Sequence, residues 1–223
     1  PALSITVTTT DVLCHGDSTG TATLNIQGGT PPYIEDWGFF NSSALPAGTF
    51  QYTVYDVNGC FSSENVTITE PPAISILLST TNASCNGYSD GTIASNVGGG
   101  TPNYSYSWDD GQTTATAINL NLGIYILTIT DGNGCIQTAS ASITEPDIID
   151  ITSTTTNTSC YGVADGAVDV TSMGGTFPYT FLWSTGQTVE DLTDLPKGNY
   201  VLTITDSLGC TEQHNVSIAE PLE

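Results

Sequence analysis

Residues 123–135 read Gly123-Ile124-Tyr125-Ile126-Leu127-Thr128-Ile129-Thr130-Asp131-Gly132-Asn133-Gly134-Cys135. Side chains of an extended chain alternate between two faces, so Tyr125, Leu127 and Ile129 share one face while Ile126, Thr128 and Thr130 share the other. A strand that runs into Asp131 and a glycine-containing turn predicts a hairpin, with the aspartate capping its own backbone. The stretch occurs twice more. Phe50, Tyr52 and Val54 lead to Asp56 and Gly59-Cys60, and Tyr200, Leu202 and Ile204 lead to Asp206 and Gly209-Cys210.

Outward from this hairpin the chain repeats a longer pattern. Cys14, Cys85 and Cys160 each stand 23 residues before Trp37, Trp108 and Trp183, and the late cysteines Cys60, Cys135 and Cys210 recur at a period of 75. Each unit closes on Glu-Pro, at Glu70-Pro71, Glu145-Pro146 and Glu220-Pro221. About 75 residues is enough for a small domain, which sets the expected boundaries at 1–71, 72–146 and 147–223. The first unit is four residues shorter between Trp37 and Gly48, where an edge can shrink without disturbing a core.

Further strands in the second unit are expected near 74–79, 92–97, 104–108, 115–118 and 138–144. Six or seven short strands with no amphipathic helical stretch predict an all-β fold, three tandem Ig-like, Greek-key β-sandwiches. Gly28-Gly29-Thr30, Gly99-Gly100-Thr101 and Gly174-Gly175-Thr176 precede a proline and an aromatic residue, supplying positive φ and a fixed bend before the tryptophan strand.

Composition narrows the partners. One lysine stands against 23 acids, a net charge of -22, which repels nucleic acid and anionic lipid. No apolar run is long enough for a membrane helix, so direct membrane insertion is not expected. Six cysteines without a Cys-x-x-Cys spacing fit disulfides outside the cytoplasm better than a metal or redox motif. Pairing early with late cysteines inside each unit, Cys14 to Cys60, Cys85 to Cys135 and Cys160 to Cys210, treats the units alike and leaves the joints free. Each such internal disulfide would clamp one end of a sandwich and contribute roughly 4 kcal/mol.

The second unit resembles the SprB-type repeat of gliding adhesins and other cell-surface proteins of Bacteroidetes. The resemblance is carried by Cys85, Gly87, Asp90-Gly91, Gly99-Gly100-Thr101-Pro102, Tyr104, Trp108, Leu120, Gly123, Tyr125, Thr128, Asp131 and Asn133-Gly134-Cys135. The third unit matches through Cys160, Asp165-Gly166, Gly174-Gly175-Thr176, Pro178-Tyr179, Trp183, Leu195-Pro196, Gly198, Tyr200, Thr203, Asp206 and Gly209-Cys210. This implies export to the cell surface by the type IX route and a place in a long adhesive filament moved by the motility machinery. The first unit departs from the pattern, with Phe50 for the tyrosine and Thr19 where the others have Asp90 and Asp165. If the tyrosine hydroxyl bonds nearby backbone as in a tyrosine corner, the first unit lacks that bond and is weaker.

Chemistry is thinly signalled, and no enzyme is expected. Cys14-His15 suggests a thiol and base, but the disulfide framework claims the cysteine. The acid pairs Glu35-Asp36, Asp109-Asp110 and Glu190-Asp191 are not equivalent in position and read as loop acids. Asp17, Asp90 and Asp165 in the first loop, with Asp56, Asp131 and Asp206 in the hairpin turn, are candidate calcium ligands, set against simple turn capping. Carbohydrate binding, as to a surface polysaccharide, is the rival function. Tyr88, Tyr161 and Phe39-Phe40 are the irregular aromatics that would serve it.

The joints Glu70-Pro71-Pro72 and Glu145-Pro146-Asp147 are short and proline-stiffened, so neighbouring repeats should touch. The opening residues resemble these joints, and the chain is expected to be a segment of something longer. Six Asn-x-Ser/Thr sequons, at Asn41, Asn65, Asn82, Asn103, Asn157 and Asn215, read as chance in a bacterial sequence.

Overall fold

The computed structural model describes all 223 residues and consists of strands and loops, without a helix. The chain divides into two compact units, one of Pro1–Leu78, Ser95–Ala115 and Ile126–Ser140, the other of Ser79–Ala94, Thr116–Tyr125 and Ala141–Glu223. The first unit holds all of the first repeat, and the second holds all of the third.

In the first repeat β1 (Ser4–Thr10) pairs with β2 (Thr21–Gln27), and β3 (Ile34–Asp36), β4 (Gly48–Tyr55) and β5 (Phe61–Ile68) form the facing sheet. The second repeat has β6 (Ser75–Thr81), β7 (Gly91–Gly98) and β9 (Thr116–Leu120) in one sheet. Its other sheet is β8 (Ser105–Trp108), β10 (Gly123–Thr130) and β11 (Ile136–Ile143). The third repeats this order: β12 (Asp150–Thr156), β13 (Gly166–Met173) and β15 (Leu192–Leu195) face β14 (Thr180–Trp183), β16 (Gly198–Thr205) and β17 (Thr211–Ile218). First, second and fourth strands form one sheet, with third, fifth and sixth forming the other. That is the Ig-like Greek key the alternation predicts. In the shortened first repeat the fourth strand shrinks to a single bridge, Gly20 to Leu45.

Alternation is borne out in burial. Tyr200, Leu202 and Ile204 turn inward while Thr203 and Thr205 do not, and Trp183 is 1% exposed in the same core. In the first repeat Leu45, Tyr52, Val54 and Ile68 fill that place. Gly28, Gly99 and Gly174 have φ near +70°, and a Cβ on Gly99 would lie 1.9 Å from the Ala73 carbonyl oxygen, so only glycine fits this turn.

Strand direction overturns the expected disulfides. In the first repeat the loop carrying Cys14 lies at the end where Val12 N donates to Thr69 O (2.9 Å) and Gly20 N to Leu45 O (3.0 Å). The turn carrying Cys60 lies at the other end, where Thr30 N donates to the Asp56 carboxylate (3.1 Å) and Gly29 N to Pro1 O (3.2 Å). The eight-residue strand β4 separates them by about 25 Å at roughly 3.3 Å per residue, whereas a cystine needs Cα atoms within about 7 Å. The third repeat is built alike. No repeat therefore holds an internal disulfide: Cys14–Cys60, Cys85–Cys135 and Cys160–Cys210 do not form.

The tyrosine corner is present where the residue is. Tyr125 Oη donates to Asn121 O (3.1 Å) and Tyr200 Oη to Pro196 O (2.7 Å). Phe50, at the same position, packs edge-on against Phe40 instead. Two residues on, Tyr52 stacks on Trp37 with its hydroxyl buried and unpartnered. Trp108 and Trp183 donate their indole N–H groups to Thr114 O (2.9 Å) and Val189 O (3.0 Å), in the segment the first repeat has lost. Trp37 is only half-buried.

An unmade buried hydrogen bond costs more than a missing pair. Tyr52→Phe should therefore leave the first repeat as stable or about 1 kcal/mol more stable, while Tyr200→Phe should cost the third about 1 kcal/mol. Urea unfolding followed by hydrogen exchange on β4 and β16 peptides reads each repeat separately. A loss of stability in Tyr52→Phe would show that its hydroxyl is satisfied.

Candidate functional site: the cystine-linked junctions

Each hairpin turn is organised by its first aspartate. Asp131 Oδ1 accepts from Asn133 N and Cys135 N (both 2.9 Å), and Oδ2 accepts from Thr101 N (2.8 Å). Asp56 does the same with Asn58, Cys60 and Thr30, and Asp206 with Leu208, Cys210 and Thr176. The three carboxylates are buried, 5–6% exposed. For Asp56 and Asp131 desolvation pushes the pKa up, but the amide hydrogen bonds together outweigh it and hold both below the usual 3.8.

The first loop is tied down by a different acid. Asp90 accepts from Ser84 N (2.9 Å) and the Ser84 hydroxyl, and Asp165 accepts likewise from Ser159. The serine hydroxyl, then its amide, draws both pKa values down. In the first repeat Thr19 takes this role, accepting from Leu13 N (3.0 Å), so Thr19 substitutes for the aspartate and Asp17 does not. The glutamate of each Glu-Pro pair reaches the same loop: Glu70 takes Gly16 N (2.6 Å), Glu145 takes Gly87 N (2.8 Å) and Glu220 takes Gly162 N (3.2 Å). The recurrence of Glu-Pro is visible in the sequence, whereas this hydrogen bond appears only in the fold. The fixed spacing of 54 to 58 residues between glycine and glutamate was the available signal.

These two loops meet across the joints. Within the first unit Cys14 bonds Cys135 (S–S 2.00 Å), and within the second Cys85 bonds Cys210 (2.06 Å), so the early cysteines of the first two repeats each take the late cysteine of the repeat that follows. Beside the first cystine, Asn133 Nδ2 donates to Leu13 O (2.9 Å). Beside the second, Asn86 Nδ2 donates to Glu145 Oε1 (3.0 Å) and Pro146 O (3.1 Å), fastening the joint to the loop. Cys85 and Cys210 are buried in the core cluster of the third repeat. Cys60 and Cys160 are exposed free thiols. In the chain-entropy model, loops of 121 and 125 residues give about 5 kcal/mol for either cystine alone.

The remaining candidates are dispersed. No three His, Cys, Asp or Glu residues gather as a metal-holding group, and the six candidate calcium ligands are not brought together. Of these, Asp56, Asp90, Asp131, Asp165 and Asp206 have their oxygens on amides or hydroxyls, as turn capping predicts. Cys14 is a cystine half and offers His15 no thiol; His15 Nδ1 lies 3.1 Å from Glu70. Among the acid pairs, Asp36, Asp109, Asp110 and Asp191 accept backbone N–H bonds. Three sequon residues also carry structure, Asn41 Oδ1 taking Ser43 N (3.0 Å), Asn82 Oδ1 taking Thr144 N (3.0 Å) and Asn157 Oδ1 taking Ala219 N (2.9 Å). Tyr88, Tyr161, Phe39 and Phe40 are all exposed. No helix is long and apolar enough to cross a membrane.

The SprB repeat family model matches residues 6–34, 77–113 and 152–188. One SprB match falls in each of the three repeats. Each match covers the first loop and the tryptophan approach or strand, and the hairpin with the late cysteine follows it. No curated protein sequence matches the chain. Among solved structures it is similar to the N-terminal eight Ig domains of Down Syndrome Cell Adhesion Molecule, at 12% identity over 79% of this chain and 28% of that one, TM-score 0.42. It is also similar to the S-layer protein SbsC, at 11% identity over 98% of this chain and 40% of that one, TM-score 0.29. The chain thus spans well under half the length of either.

Peptide mapping without reduction should recover Cys14–Cys135 and Cys85–Cys210 linked peptides and free thiols at 60 and 160. Recovery of Cys14–Cys60 would contradict the strand polarity described above. Because the folded pKa of Asp131 lies below 3.8, the unfolded chain takes up its proton first as the pH falls. The stability this carboxylate contributes is full above 3.8 and is lost as the pH drops through its folded value. Asp131→Asn should lower the melting temperature by several degrees at neutral pH, and the gap to the unaltered chain should close below pH 3.8. A gap independent of pH would assign the loss to packing.

Proposed function

We propose that this chain is a non-enzymatic stalk or filament section of a large cell-surface gliding or adhesion protein, its repeats 1–71, 72–146 and 147–223 bearing load in series. The observation that carries the reading is that each cystine crosses a joint instead of closing a repeat. A bond across a joint does nothing for chemistry inside a sandwich, but it transmits tension between sandwiches. Cystines support an extracellular place at the outer-membrane surface. The SprB resemblance supports export by the type IX route, with motility machinery and surface polysaccharide as distant partners. Neighbouring repeats of the same kind are the direct ones.

The two cystines interleave, and this gives a test. The shortest covalent path runs along residues 1–14, crosses to 135, returns to 85 and crosses to 210. At about 3.4 Å per residue the fully stretched oxidised chain reaches roughly 270 Å, against roughly 760 Å after reduction. Single-molecule pulling with and without reductant measures the ratio, expected near threefold. Equal lengths would remove the mechanical reading.

A sugar-binding array is the second reading, favoured by Trp37. This half-buried ring lines an open groove with Glu35, Thr21, Ser42 and Ser43, the mixture of aromatic and polar groups that saccharides use. Binding on a glycan array that is lost in Trp37→Ala would support it, and a blank array removes it.

A further inference from the structure

Two cysteines lack partners, and the two that are paired at each of their positions say what they lack. Cys14 and Cys85, in the first loops of the first two repeats, bond the hairpin cysteines of the second and third. Cys160 stands at the same loop position in the third repeat, and Cys60 at the same hairpin position in the first. Both are exposed thiols. The rule linking repeat to repeat is heterologous and does not close on itself, so it leaves one unused half at each end of the series.

We propose that Cys160 and Cys60 are the open ends of an extendable cystine series, each docking a further SprB repeat. Cys160 takes the hairpin cysteine of one repeat, and Cys60 takes the first-loop cysteine of another. A second copy of this chain offers both partners.

The surroundings of the two thiols are already built for the bond. Asp56 accepts from Cys60 N (2.9 Å) as Asp131 does from Cys135 N (2.9 Å), so the hairpin thiol is presented in the same way. Asn58 occupies the position of Asn133, whose amide donates to Leu13 O of the repeat before; the Asn58 amide is exposed and has no such acceptor. At the other end Ser159 and Asp165 hold the Cys160 loop with the hydrogen bonds that Ser84 and Asp90 give the Cys85 loop, and Glu220 takes Gly162 N as Glu145 takes Gly87 N. The first repeat also carries an exposed cross-strand row beside Cys60, Ile34, Tyr55 and Phe61, where the third repeat has Thr180, Thr205 and Thr211. Exposed apolar side chains gathered at a docking position offer an interaction surface.

Bond formation needs a two-electron oxidant, here a small-molecule disulfide such as oxidised glutathione. One cysteine thiolate attacks it and expels a glutathione thiolate. The second cysteine thiolate then attacks the protein sulfur of the mixed disulfide, expelling the other glutathione. The two cysteines are oxidised, one glutathione disulfide is reduced, and the two protons end on glutathione.

This inference deepens the stalk reading and rests on it for purpose, but its test is independent of the pulling result. Cys60→Ser retains only the loop thiol and Cys160→Ser only the hairpin thiol, and both substitutions fall on exposed residues. The two variants are mixed at high concentration with oxidised glutathione, in salt sufficient to screen their acidic charge. The mixture should give a dimer containing the Cys160–Cys60 peptide, exceeding either homodimer by about tenfold, and nothing larger. The unaltered chain should give a ladder under the same conditions. Homodimers as abundant as the heterodimer, glutathionylated monomers alone, or exchange of the existing cystines with Cys60 or Cys160 would each overturn the proposal.

Discussion

Strand polarity governs this molecule. Once the first strand of a repeat runs one way, the Greek key sends the hairpin before the last strand to the opposite end, about a strand length away. The two cysteines of the first repeat, and those of the third, therefore lie at opposite ends of their sandwich. The Asp turn and the Ser-Asp or Leu-Thr loop then fix each thiol in place by hydrogen bonds to adjacent amides. The cystine follows from these local structures and does not create them.

The consequence is a chain with two interleaved covalent loops. In a series of repeats closed each on its own cystine, the joints are the weakest covalent stretch and the first to be strained. Here the proline-stiffened joints are spanned by a parallel covalent path, and the glutamate of each Glu-Pro pair holds the loop that carries that path. The same residues shape the fold and the junction. Asp56, Asp131 and Asp206 are accordingly occupied in capping their own turns.

The first repeat shows how much variation the architecture bears. Its deletion removes the carbonyl that the other tryptophans bond, reduces one strand to a bridge and leaves Trp37 half-buried. Phe50 and Phe40 replace a polar tie with an aromatic contact, and Tyr52 buries a hydroxyl without a partner. The hairpin that presents Cys60 is nevertheless hydrogen-bonded as in the other repeats.

Period-2 alternation, the Asp-x-x-Gly-Cys turn and the Gly-Gly-Thr bend are local codes, and local codes were legible. They set the strands, the turn capping, the tyrosine corner and its absence at Phe50 directly from residue types. The threonine that replaces Asp90 was visible as a departure, but its equivalent hydrogen bond was not, because a hydroxyl and a carboxylate share only the acceptor. Cysteine pairing was the error. The sequence displayed six cysteines in three alike units, and pairing within a unit was the symmetric choice for a closed set. Which end of a sandwich a cysteine occupies depends on how many times the chain crosses the fold between them, and that is a property of topology. Sequence by itself determined the β-sandwich repeat; only the tertiary structure decided that its covalent links run between repeats, because distance across a sheet is not encoded in spacing along a chain.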